Sequence, residues 1–320
     1  MKVLFHGSSC IATLLQIAFY FAAVSFPTIA LAYKKIDDRN INDAVSLLCM
    51  DQSRSELTYG PIDGWDTSSV TSMNRMFSSC HNFTADLSNW NTSSVTNMIG
   101  MFSGSTNFAA DLSSWDTSSV TYVNGMFSYS TNFAAGLSSW DTSSVTNMGD
   151  LFSYSTNFAA DLSSWYTSSV TDMSRMFSRS TNFAADISSW DTSNVTIMDD
   201  MFSISTNFTA DLSSWDTSNV IKMGCRTFMG GMFSASTNFA ADLSSWDTSS
   251  VTSMRRMFSN SKNFAADISS WDVSSVTNME DVLSSFTSNF SADLSKWNQS
   301  SIASTEDKFS YSTNSTADLS

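Results

Sequence analysis

The sequence predicts a repeat solenoid built from units of about 25 residues, each holding one short helical turn and one short extended stretch. The first observation is a ruler. All ten tryptophans lie on it, at Trp65, Trp90, Trp115, Trp140, Trp165, Trp190, Trp215, Trp246, Trp271 and Trp297, spaced 25 residues six times and then 31, 25 and 26. The second is a set of apolar columns in the unit W-D-T-S-S-V-T-x-M-x-x-M-F-S-x-S-x-N-F-x-A-D-L-S-x, such as Val70, Val95 and Val120, Phe77, Phe102 and Phe127, and Phe83, Phe108 and Phe133. The third is physical: one such unit cannot bury its own apolar faces, whereas stacked neighbours can.

Within the unit, V-T-x-M-x-x-M-F spaces apolar residues at i, i+3, i+6 and i+7, which reads as a helical or 3₁₀ stripe. Ser-Ser before Val offers an N-cap, and the Asp after Trp adds charge there. N-F-x-A-D-L-S alternates, with Phe, Ala and Leu on one parity, and so reads as the extended stretch. Trp falls three residues after Leu, so a straight strand cannot turn both inward. Either a corner precedes Trp and the ring joins the core, or the tryptophans form an exposed ladder.

Composition narrows the function. The 320 residues carry 15 Lys+Arg against 30 Asp+Glu, a net charge of -15, with 24 Phe, two Pro and two His. That is too aromatic for a disordered chain and too acidic for phosphate-driven nucleic-acid binding. Residues 1–32 read as a secretory signal: Lys2 is followed by an apolar run over 11–26, and Ala30-Leu31-Ala32 fits a cleavage site. An uncleaved anchor is the alternative, although 16 apolar residues fall short of the roughly 20 a spanning helix needs. After cleavage His81 is the sole histidine, and no nucleophile elbow or phosphate-binding loop occurs, so the expectation is a chain that is not an enzyme. The expected organisation is signal (1–32), N-terminal helical cap (33–61) and ten repeats (62–320). An interruption near 225–230 is either a surface loop or a retained intron fragment. No C-terminal cap is evident, so an end-to-end partner is one expectation.

On the secretory route the remaining cysteines, Cys49, Cys80 and Cys225, meet an oxidising environment. A Cys49–Cys80 bridge leaves Cys225 over; three free thiols are the alternative. Sequons outside the asparagine column make Asn91, Asn194 and Asn298 the better glycosylation candidates. The asparagine column itself, including Asn107, Asn132 and Asn157, is expected to satisfy turn backbone groups.

Two aspartate columns carry 16 of the 30 acids. Stacked carboxylates repel unless hydrogen-bonded or neutralised, so Asp86, Asp111, Asp161, Asp186 and Asp211 are weak calcium candidates beside a plain turn-capping reading. No other cofactor is expected. Threonine columns, Thr67, Thr92 and Thr117 and then Thr71, Thr96 and Thr121, admit an ice- or mineral-associated role beside ordinary capping. Specificity is expected at the x positions, where Arg175, Arg179, Arg255 and Arg256 are rare basic marks.

The motif W-D-T-S-x-V-T-x-M-x-x-M-F, together with Asn42–Cys49 and Tyr59–Trp65 leading into the first unit, resembles the BspA-type leucine-rich-repeat surface proteins over about residues 40–320. The resemblance implies an α/β, leucine-rich-repeat-like right-handed coil at the cell surface or outside the cell. Adhesion to extracellular proteins or glycans is the implied role, and an extracellular structural or ice-associated protein is the alternative. Gly136 and Tyr166 depart from the aspartate columns.

Overall fold

The computed structural model describes residues 33–225, 230–284 and 294–297. The signal region and Asn298 lie outside them. Among the described residues no helix is long and apolar enough to cross a membrane.

Two helices open the described chain, α1 (Ile41–Met50) and α2 (Gln52–Tyr59). Helix α1 buries Ile41, Ala44, Val45 and Leu48, an i, i+3, i+4, i+7 stripe. Asp51 separates the helices and caps α2, its carboxylate accepting from the Arg54 amide at 3.0 Å. Ser55 in α2 donates to the Ala44 carbonyl at 3.2 Å, which ties the pair together.

Past Trp65 each unit is laid in register against the next. Parallel bridges join Ser72 to Asn97, Asn97 to Tyr122, and so on at every step to Asn278. The bridge marks one rung of a longer ladder. Met73, Arg75, Phe77 and Ser79 donate their amides to the carbonyls of Asn97, Ile99, Met101 and Ser103, at 2.7–2.8 Å, and Met98, Gly100, Phe102 and Gly104 do the same one unit on. The amides between them turn back within the unit: Met76 to Met73, Ser78 to Arg75, Cys80 to Phe77.

This ladder replaces the expected helical turn. An α-helix would spend all its amides on itself. Here two residues four apart take left-handed backbone instead, Arg75 at φ 54° and Ser79 at φ 60° in the first unit, and every second amide reaches the neighbour. A 3₁₀ turn, Ile62–Gly64, leads into Trp65, and past Trp65 no helix forms among the described residues. The N-F-x-A-D-L-S stretch differs as well: Phe83 and Leu87 are buried and Ala85 is packed against the core, but the stretch has no bridge. Its parity was legible, while its partnering belongs to the M-x-x-M-F segment.

The tryptophans are in the core, 3–5 % exposed. A turn closed by Trp115 N–H on the Leu112 carbonyl provides the corner before each ring. The indole N–H then donates to the Leu carbonyl one unit back, as Trp140 does to Leu112 at 3.2 Å. Phenylalanines pack beside them in two columns, 3.8 Å apart within a unit (Phe152–Phe158) and 5.7 Å between units (Phe127–Phe152). Each such ring buried contributes roughly 1.5–3 kcal/mol.

Hydroxyls complete the stacking. Buried Ser105, Ser130, Ser155, Ser180 and Ser205 each donate to a Phe carbonyl 28 residues earlier. Buried Thr117 donates forward to the Asp141 carbonyl, and exposed Ser114 back to the Ser88 carbonyl, both at 2.9 Å. The first unit has no predecessor, and its substitutes show. Asp38 takes the Thr71 amide at 2.8 Å, where later units use the preceding threonine carbonyl. Cys80 occupies the buried-serine column and is bonded to Cys49 in α1, with Cα atoms 5.5 Å apart.

The interruption in the seventh unit leaves this register intact. Met232 donates to the Met223 carbonyl at 3.1 Å, as Met76 does to Met73, so the ladder closes across the excursion. Gly231 stands where Arg75 stands in the first unit; a Cβ there would lie 2.5 Å from the Met257 nitrogen.

Two outcomes follow for stability. Replacing Cys49 and Cys80 together by serine removes a cross-link over 31 residues and should lower chemical-denaturation stability by about 3–4 kcal/mol. Ala235→Gly, at φ 54°, should raise it by up to about 1 kcal/mol, because glycine relieves left-handed strain; an unchanged or lower midpoint would contradict the ladder geometry.

Candidate recognition face

The ladder segment divides the molecule's surface chemically. Where side chains hold units together, the residue repeats: Ser at 105, 130, 155 and 180, Thr at 67, 92, 117 and 142. Of the four ladder donors in each unit, the two at left-handed backbone are not needed for side-chain stacking, and there the residue changes from unit to unit. Two left-handed columns carry this variation. One runs Arg75, Gly100, Gly125, Asp150, Arg175, Asp200; the other runs Ser79, Gly104, Tyr129, Tyr154, Arg179, Ile204. Left-handed backbone costs a residue with a Cβ roughly 1–2 kcal/mol, a cost that the interunit hydrogen bonds offset.

The central units of this face hold its most distinctive group. Tyr129 and Tyr154 stack with centroids 4.2 Å apart and planes 13° apart. The Arg179 guanidinium lies 5.0 Å over the Tyr154 ring, within cation–π range. Burial and the neighbouring phenol raise the Tyr129 hydroxyl above its ordinary pKa. Beside the stack Arg175 pairs with Asp150 at 2.7 Å. Toward the N-terminal side the columns turn to glycine, and a groove of about 320 Å³ opens there, lined by Arg75, Gly100, Asn124, Gly125 and Asp150 among others.

The remaining sequence candidates fall as follows. Arg255 makes a two-pronged pair with Glu280, at 3.0 and 2.9 Å, and its third nitrogen reaches the Cys225 sulfur at 3.5 Å. Burial pushes the Cys225 thiol up from its usual pKa. Arg256 pairs with Asp281 at 3.1 Å. Asn91 is exposed, with its carbonyl oxygen taken by Ser93. Asn194 is exposed, and its amide donates to the Ser168 carbonyl at 2.8 Å. His81 lines a separate cavity of about 480 Å³ with Leu48, Cys49 and Ile62.

Two expected arrays differ from the sequence reading. The asparagine column does not serve turn backbone through its amides; Asn132, Asn157, Asn182 and Asn207 each donate to the preceding asparagine's oxygen, at 3.2–3.4 Å, along an exposed rail. One of the two threonine columns is inside: Thr67, Thr92 and Thr117 are 1–3 % exposed. A paired threonine surface of the kind an ice-associated role would use is therefore not presented.

The calcium candidates Asp86, Asp111, Asp161, Asp186 and Asp211 each turn one oxygen onto the amide of the serine two residues on, at 2.8–2.9 Å. Among the described residues no three acidic, histidine or cysteine side chains gather as metal ligands. The serine amide first, and its side chain second, hold these carboxyls below their ordinary pKa. For Asp116, Asp141, Asp191 and Asp216 the side-chain bond leads. Repulsion between stacked carboxylates is the weaker influence wherever it enters, as at Asp111 and Asp186.

Because the folded pKa values are lowered, this stabilisation is complete above the unfolded aspartate value, about 3.9, and is lost as pH falls through the folded values. The melting temperature should therefore hold from neutrality to about pH 5 and fall below about pH 4. Millimolar calcium should shift it little, a calorimetric scan with and without the ion being the check.

A family model described as "Mycoplasma protein of unknown function, DUF285" matches residues 46–160, 130–226 and 226–320, three times in tandem over the repeats. A comparison with curated proteins finds no match.

Proposed function

The chain belongs to the DUF285 family, and from that premise we propose that it is a secreted or cell-surface repeat protein that recognises extracellular proteins or glycans and catalyses nothing. In this reading the units wind as a right-handed, leucine-rich-repeat-like solenoid of the BspA type, and residues 1–32 direct the chain into the secretory pathway. The observation that carries the proposal is the segregation of non-repeating side chains onto the laddered face. Thirteen residues other than glycine hold left-handed backbone among the described residues, and on this face they include a stacked tyrosine pair with an arginine over it.

Mechanistically the face would act by presentation. Side chains released from stacking are fixed in place by the main chain beneath them, so little ordering cost is left for binding. Neighbouring units offer contacts at regular intervals, and several weak contacts combine by effective concentration. The -15 charge would suppress association with anionic surfaces.

The test is binding of the labelled, purified chain to cell surfaces and immobilised matrix. Tyr129→Ala with Arg179→Ala should weaken binding roughly tenfold or more, as expected for loss of central aromatic and arginine anchors. Tyr166→Ala, which removes an exposed ring on a different column, should leave it unchanged. Equal binding by all three proteins would overturn the assignment of this face.

A further inference from the structure

The second left-handed column is an unfinished stack. Tyr129, Tyr154 and Arg179 occupy three consecutive units, ring on ring and guanidinium on ring. The next position toward the N-terminus is Gly104. One face of Tyr129 is covered by Tyr154, and the unit on its other side contributes no side chain at that level. Tyr129 is accordingly 49 % exposed, although it belongs to a stack.

In the neighbouring column Gly100 and Gly125 stand where Arg75 and Asp150 stand in the flanking units; a Cβ added at Gly125 would meet nothing within 4 Å, whereas one at Gly100 would lie 3.2 Å from Cγ of Arg75, whose side chain leans over it. The resulting groove, about 320 Å³, is at the lower end of the range for small-ligand sites. Its lining is polar and small: Ser103, Ser128 and Asn124 between Arg75 at one side and Asp150 at the other, with Ile99 as its one large apolar residue. Arg75 and Asp150 are opposite in sign across the groove, and Asp150 is also paired with Arg175.

We propose that this slot, Tyr129 over Gly104 with the groove across Gly100 and Gly125, binds a neutral saccharide. The ligand chemistry follows from the site's parts. A flat ring with one apolar face matches the open face of Tyr129. Its hydroxyls, each both donor and acceptor, match a mixed lining of guanidinium, carboxylate, amide and serine hydroxyl. An apolar peptide side chain would need an apolar pocket, which a serine- and glycine-lined groove does not provide. An anionic ligand would meet the field of a chain carrying -15. The inference rests on the recognition reading of this face and narrows it to one ligand class at one place.

The experiment is saturation-transfer NMR and calorimetry on the purified chain, with maltotriose, cellotriose and chitotriose as probes and a short polyglutamate as the competing class. At least one trisaccharide should bind, with an affinity insensitive to salt. Tyr129→Ala should weaken that binding roughly tenfold. Gly104→Tyr should abolish it, because it extends the tyrosine stack into the slot at a φ of 73°, close to the 61° and 62° that Tyr129 and Tyr154 already adopt. An unchanged melting transition in both variants separates loss of binding from loss of fold. Three outcomes overturn the proposal: no trisaccharide binding at about 10 mM, well above typical weak-site affinities; binding that survives both variants; or salt-sensitive binding of polyglutamate alone. The wider reading is tested apart from this one, since cell-surface binding that depends on Arg179 but ignores all three sugars removes only the saccharide.

Discussion

Every unit of this protein depends on neighbours to satisfy its polar backbone. A 25-residue turn of chain has too few residues to pair its own amides and carbonyls while also burying a tryptophan and two phenylalanines. The structure answers by sending hydrogen bonds to residues 24 to 28 positions away. Ladder amides reach forward, indole N–H groups and buried serines reach back, and a buried threonine reaches forward from another corner. Leaving a buried carbonyl unmet costs roughly 1–3 kcal/mol, and the aromatic columns supply burial only while neighbouring units stay in register. Polar satisfaction and apolar burial therefore impose the same spacing, which is why the tryptophan ruler is so regular.

That dual demand explains what could be read in advance. The core was legible because burial leaves columns: Val70, Phe77, Phe83, Leu87 and Trp90 are all inside. The corner before each Trp was legible from parity. The backbone path of M-x-x-M-F was not, because spacing of i, i+3, i+6 and i+7 suits a helix and equally suits a chain that turns left-handed at every fourth residue. The signal that could have separated them is composition at the third residue of the run, where Gly100 and Gly125 share a column with Arg75, Asp150 and Arg175. Glycine recurring at one helical position argues against a helix.

The candidate site was legible only as a list. Arg175 and Arg179 stood out by charge, yet neither the tyrosine stack nor its glycine gap is visible until units are superposed in space. Tyr129 and Tyr154 are 25 residues apart and 4.2 Å apart in the fold. The buried serine column was hidden by abundance, since serine occupies so many positions that one indispensable copy per unit does not announce itself. Its exception is informative: Cys80 sits in that column where there is no preceding phenylalanine carbonyl to meet, and bonds to the cap instead.

The closure between Met223 and Met232 shows that the period is set by hydrogen-bonded joints and not by residue count. The sequence carries six surplus residues between Met223 and Met232, and the chain regains the same rung at Met232 with pairing on either flank undisturbed. An array built this way can diversify by extrusion as well as by point substitution: a hairpin of new sequence can be grafted at one rung without renegotiating any other, so long as a residue as small as Gly231 marks the point of return.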